Sequence, residues 1–181
     1  MGHREDLLEG AKACLLEKGW TRTTARDIVA ASGANLASIG YHYGGKEELM
    51  RAAFLALIDE WGSRVEVVAK AGDRAKVWEA MVKGVDADRR FWLAQLEVLG
   101  LLDHNQKLKD FFVEVMPQGW EGMITLFEGV PEDQVDKARA RTDGWLYSAL
   151  WVGIWTQHLI DPEATPSGEQ IEASLRRMAG G

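Results

Sequence analysis

Apolar residues recur at three- and four-residue spacing along almost the whole chain, the period of a helix with one buried face. Leu7, Leu8, Ala11, Cys14 and Leu15 form the first such stripe, which predicts a helix over residues 4–18 that stops at Gly19. Thr24 followed by Asp27 gives a [ST]-x-x-[DE] start for a second helix over 25–32, with Ile28 and Val29 inward and Gly33 as its break. Asn35 can cap a third, over 36–42. Two short helices joined by a glycine-containing turn are the helix-turn-helix arrangement.

The pattern restarts after Gly44 and Gly45. Leu49, Ala53, Leu57, Trp61 and Val65 lie four apart, which predicts a long helix ending before Gly72 and Asp73. Further helices are expected over 74–85, 88–103, 105–128, 131–160 and 168–178. Pro117 should kink or split the 105–128 run, and Pro131 suits a helix start. No segment alternates like a strand. The expected fold is all-α, with about nine helices. A three-helix head occupies residues 1–48, and residues 49–181 form a larger helical domain for ligand binding and dimerisation.

Composition narrows the class. The chain has 181 residues, 46% hydrophobic and 27% charged, enough to bury a full core. The single cysteine, Cys14, has no internal disulfide partner and reads as a small buried residue. The charged N-terminus is unlike a signal peptide, and the apolar run from Trp145 to Trp155 is too short to span a bilayer, so a cytoplasmic location without membrane contact is expected. Net charge is −7, but residues 1–51 carry seven Lys/Arg and seven Asp/Glu, so all the excess acid lies after them. A neutral head can still present a basic face.

The stretch "GYHYGGKEEL", residues 40–49, contains G-x-x-x-x-G-K, most of a nucleotide-binding loop. The hydroxyl that would ligate Mg²⁺ is replaced by Glu47, and two tyrosines and a histidine fill the cradle. The residues ahead of Gly40 read as a helix rather than a strand. A helix beginning at Lys46 offers a different anion site: unpaired amides at the positive end of a helix dipole, plus a lysine. On DNA such a group holds a backbone phosphate.

The stretch "TTARDIVAASGANLASIGYHYGGKEEL", 23–49, resembles the DNA-binding head of the TetR (tetracycline-repressor) family. The shared features are Thr-Thr before the second helix, Arg-Asp-Ile within it, glycine at the turn, aromatic-His-aromatic closing the third helix, and Lys-Glu-Glu-Leu opening the fourth. The resemblance covers residues 5–55. It implies that Thr24 binds phosphate, that Asn35, Leu36, Ala37 and Ser38 face the major groove, that Tyr41 and His42 touch the backbone, and that Lys46 anchors a further phosphate. Leu36 and Gly40 depart from the family's usual polar or basic and aromatic residues, which leaves more of the readout to DNA shape.

Seven of the eight tryptophans follow residue 55. Most should be core. The family places an effector pocket in the body, and the expected lining there is Trp61, Met81, Trp92, Gln95, Phe112, Met116, Trp120, Trp151 and Trp155, with His104, Thr142, Ser148 and Gln157 as further polar candidates. The run from Trp145 to Trp155 is apolar nearly all round and needs cover on more than one side. With Ile171, Leu175 and Met178 it suggests a two-fold bundle between subunits. No catalytic or metal constellation is expected and no cofactor. The four histidines lack metal-ligand spacing, and Glu97, Asp103 and His104 are close only in sequence. The expected function is a dimeric repressor that binds a palindromic double-stranded operator and is released by a largely apolar small molecule. The alternatives are a small helical enzyme and a protein-interaction adaptor.

Overall fold

The computed structural model describes residues 3–70 and 72–180. Its helices are α1 (His3–Lys18), α2 (Ala25–Ser32), α3 (Leu36–Tyr43), α4 (Lys46–Ala69), α5 (Arg74–Ala87), α6 (Arg89–Leu101) and α7 (Gln106–Glu128). There follow a 3-10 turn (Glu132–Gln134), α8 (Lys137–Arg139), a π turn (Ala140–Gly144), α9 (Trp145–Ile160) and α10 (Gly168–Met178). The described residues contain helix and turn and no strand.

Two expectations about breaks are corrected. Helix α7 runs through Pro117 without being split, because a helix of this length loses one backbone donor there and keeps its remaining ladder. The helix expected from residue 131 begins instead at Lys137. Val135 is extended, and the Asp136 carboxylate caps the new helix by accepting the Ala138 N–H at 2.7 Å.

Packing divides the chain into two compact units. The first holds the described residues up to Trp61 together with Arg90–Leu102; the second holds Gly62–Arg89 and the described residues from Asp103 on. Helix α6 thus packs mainly with the head. In the first unit, Leu7, Ala11 and Leu15 of α1, Ile28 of α2, Ile39 of α3 and Leu49, Met50 and Phe54 of α4 are all buried, and α1 packs on α2 and α3. Cys14 is buried among them, and that burial pushes its thiol above the ordinary value. Trp20 meets Phe54 edge-on at 6.3 Å, Phe54 meets Phe91 at 5.7 Å, and Trp61 meets Trp92 at 5.3 Å, which ties α6 into this core.

In the second unit α5 packs against α10, α9 and α7. Trp78 is fully buried and lies 4.3 Å from the Phe127 ring, which stacks on Tyr147 at 4.8 Å. The Arg74 guanidinium sits over both Phe127 and Tyr147, and its Nε donates to Glu172 at 3.2 Å. His158 is buried at the end of α9. Its two ring nitrogens lie within hydrogen-bond distance of Thr165 Oγ1, at 2.9 Å, and Asp86 Oδ1, at 3.1 Å, which fixes the α9–α10 connection to α5.

Ile28 is the one fully buried side chain of α2. Ile28→Ala should lower the stability of the head by about 2–5 kcal/mol, the range for such truncations in a packed core. The check is the urea midpoint followed by circular dichroism.

Candidate nucleic-acid interface

The head is assembled by local capping. Thr24 opens α2 with a full capping box: its side chain accepts the Asp27 N–H, and the Asp27 carboxylate accepts the Thr24 N–H at 2.8 Å. Asn35 opens α3, its Oδ1 accepting the Ser38 N–H at 2.9 Å. Gly33 and Gly44 close the two helices with φ of 70° and 79°, left-handed values that favour glycine.

These caps decide which residues face outward. Leu36 is 55% exposed and Tyr41 85%, with Asn35, Ala37 and Gly40 exposed beside them. Tyr41 meets His42 edge-on at 4.8 Å. Ser38 does not join this face. It is buried next to Ile39, on the side of α3 turned to the head's core, so the groove-facing set expected from the sequence loses one member. Tyr43 turns back to α1, its hydroxyl donating to the Arg4 carbonyl at 2.7 Å.

The start of α4 is held against the start of α2. Lys46 Nζ donates to the Thr23 carbonyl at 3.2 Å and pairs with Glu47 at 3.0 Å. Thr23 is buried, with its hydroxyl within hydrogen-bond distance of the Gly19 and Cys14 carbonyls. Glu97 of α6 completes the corner: its two carboxylate oxygens accept the backbone N–H groups of Trp20 and Thr21, each at 2.9 Å. Burial opposes ionisation of that carboxyl, but the bonds from Thr21 and Trp20 outweigh it and hold its pKa below the ordinary value. Sequence reasoning did not find this role for Glu97, because no local pattern marks a partner 77 residues away.

Of the head's cations, Lys12 is committed to Glu9 and Glu60, Lys18 to Asp27, and Arg51 to Glu48. Arg22 and Arg26 are exposed on the two sides of Thr24 in sequence, and neither forms an ion pair among the described residues.

The body residues expected to line an effector pocket are divided between the two units. Trp61, Trp92 and Gln95 belong to the first unit, where the two indoles pack on each other. Met81, Trp151 and Trp155 are buried in the second, while Phe112 and Trp120 are half-buried on α7 and Met116 is exposed. A cavity of about 410 Å³ in the second unit has Gln157 in its wall but none of those nine residues.

The head has the helix-turn-helix arrangement, with Leu36 and Tyr41 on its outward helix beside a lysine-bearing helix start. The family model for bacterial regulatory proteins of the tetR family matches residues 7–53, the residues of the head. The HTH-type transcriptional repressor AcnR of Corynebacterium glutamicum is 33% identical over 96 residues, 52% of this chain and 48% of AcnR. The HTH-type transcriptional repressor KstR2 of Rhodococcus jostii is 33% identical over 82 residues, 45% of this chain and 40% of KstR2. The chain thus matches about half or less of the length of these curated relatives. Over nearly its full length it shares its fold with the multidrug binding protein EbrR, solved in complex with imidazole: TM-score 0.69, 21% identity, 98% of this chain and 94% of that one.

The Asp27 carboxyl is held far below the ordinary range by the Lys18 ammonium first and by Thr24 second. A carboxyl depressed in the folded state adds stability that is complete above its unfolded value, about 3.9, and is lost as pH falls through the folded value. Asp27→Asn keeps an acceptor for the Thr24 N–H but loses the charge. Urea midpoints taken from about pH 5 to about pH 2 should fall more steeply for the native chain than for Asp27→Asn, the gap closing at the acid end.

Proposed function

We propose that the chain is a transcriptional repressor that binds a palindromic operator as a homodimer and is released by an uncharged, largely apolar small molecule. The observation that carries the reading is the outward face of α3. Leu36 and Tyr41 are large side chains left in solvent by an otherwise well-packed head. Leu36 suits a thymine methyl in the major groove. Asn35 keeps its amide N–H₂ for a base or phosphate while its oxygen caps the helix. Tyr41 and His42, and the α2 and α4 starts at Thr24 and Lys46, supply phosphate contacts that set register. Arg22 and Arg26 add the charge that a chain of net −7 needs at this one place.

Dimerisation is supported by α9. Trp145, Ala149, Val152 and Ile160 form an exposed stripe at helical spacing, a surface that monomers rarely leave in water. A two-fold dimer would set two heads on half-sites about 34–36 Å apart, or a multiple. The repressor names of AcnR and KstR2 and the multidrug-binding name of EbrR agree with the repressor and effector parts of the reading. No helix among the described residues is long and apolar enough to cross a membrane, and a cytoplasmic site of action accords with that.

The test is selection of bound duplexes from a random pool, followed by mobility shifts over a salt series. A palindrome should be enriched, and affinity should fall steeply with salt. Lys46→Ala should weaken binding to all sequences alike and flatten the log–log salt slope by about one unit per head. Leu36→Ala should change the preferred bases and leave the slope alone. Failure to enrich any duplex, or binding indifferent to salt, overturns the reading.

A further inference from the structure

Helix α1 ends at Gly19, whose φ of 80° turns the chain toward α2. The two amides that follow, those of Trp20 and Thr21, converge on the Glu97 carboxylate, each at 2.9 Å. Successive backbone N–H groups beside a left-handed residue form a nest, a concavity that favours an anion. The carboxylate is seated closely against it: a side chain at Gly19 would run into a Glu97 oxygen. Glu97 is also held from its own helix. Phe91, Trp92, Ala94 and Val98 are the buried side chains of α6, and Glu97 is half-buried at the edge of that stripe.

The same corner carries the groups that the repressor reading puts on phosphate. Arg22 Nε donates to the Lys18 carbonyl at 2.8 Å. The Thr23 hydroxyl donates to the Gly19 carbonyl at 2.7 Å, and the Thr23 carbonyl takes Lys46 Nζ at 3.2 Å. Thr24 then caps α2. A shift of Gly19, Trp20 and Thr21 is therefore passed to the starts of both α2 and α4.

Charge alone argues the other way. A carboxylate on a head that meets a duplex repels phosphate, so its removal would tighten binding. Glu97 can favour binding only through geometry, and the two effects have opposite signs.

We infer that Glu97 is a positioning residue for duplex binding: from α6 its carboxylate fills the amide nest of the α1–α2 corner and so sets Arg22, Thr24 and Lys46 for phosphate. Its effect on DNA rests on the repressor reading; its hold on the two helix starts does not.

The probe is the duplex enriched from the random pool, titrated by mobility shift against the native chain, Glu97→Gln and Glu97→Ala, each shown to be folded by circular dichroism. Both variants should bind about tenfold more weakly, inside the ~5–150-fold usual for coupled sites. Replacing chloride by formate at constant ionic strength should restore much of the loss in Glu97→Ala, by refilling the vacated nest. It should affect Glu97→Gln, whose amide still occupies the nest, no more than the native chain. Should Glu97→Ala fail to fold, the near-isosteric Glu97→Gln carries the affinity measurement. Affinity that is unchanged or tighter in the variants overturns the inference, and so does formate acting equally on all three proteins.

Amide hydrogen exchange of the full chain without DNA supplies the second readout. The Asp27 and Leu49 amides close the first turns of α2 and α4. In Glu97→Gln both should exchange about tenfold faster relative to the interior of α4, the mark of local opening. Faster exchange at Trp20 and Thr21 alone, or uniformly through the head, makes Glu97 a structural contact only and overturns the inference. If no duplex is enriched but both helix starts open in Glu97→Gln, the repressor reading fails and the hold of Glu97 on those starts is upheld. An enriched duplex bound equally by all three proteins removes the role of Glu97 and leaves the repressor reading intact.

Discussion

The backbone amides of the α1–α2 corner have to be satisfied, and a carboxylate from α6 satisfies them. Glu97 takes the N–H groups of Trp20 and Thr21 into its two oxygens. Hydrogen bonds to a charged acceptor are worth about 1.5–3 kcal/mol each, more than most contacts in a head of this size. The corner it fixes carries Thr23, whose buried hydroxyl reaches back to α1 and whose carbonyl receives Lys46. Thr24 follows directly as the α2 cap. One acceptor therefore sets where two helix starts lie, and both are candidate phosphate contacts. This is the physical reason that α6, far along the chain, belongs to the same compact unit as the head.

Charge is placed with similar economy. Most of the head's cations are consumed internally: Lys12 by two glutamates, Lys18 by Asp27, Arg51 by Glu48. Such pairs add little stability when exposed, but they hold the charge on the helices and away from the outward face. What is left near Thr24 is Arg22 and Arg26, while Lys46 beside them pairs with Glu47. An acidic chain can bind a polyanion when its few uncommitted cations are gathered at one end and its excess acid lies elsewhere in the sequence.

How much of this was legible in the sequence follows from the range of each interaction. The caps were legible, because Thr24 with Asp27, Asn35, Gly33 and Gly44 all act within four residues. The bounds of α2 and α3 follow from them. Ser38 was misplaced because a short polar residue on an eight-residue helix gives no period to read, and the buried side of α3 is decided by Ile39. Glu97 was invisible in its true role for the opposite reason: its partners lie 76 and 77 residues away. In the body, residue type says less. Tryptophan and methionine announce burial but not what they are buried against, so Trp61 and Trp92 find each other, while the cavity is walled by leucine and isoleucine that no composition count distinguishes from core.

Helix α9 shows why that limit is physical. Periodicity reports one buried stripe against one wet stripe, and it goes silent when a helix has no wet stripe at all. The all-round apolar run from Trp145 to Trp155 needs more than one cover, which the sequence does state. The structure divides the demand: a core face closed by its own unit, a face across the cavity from α10, and a face left in solvent. Each unclosed face must be covered by something that is not part of this chain as folded, or remain an exposed apolar surface of a kind that promotes association. The two open faces differ in shape. The solvent stripe lies open along the helix, whereas the cavity is a recess walled by α9 and α10, so the two ask for covers of different form.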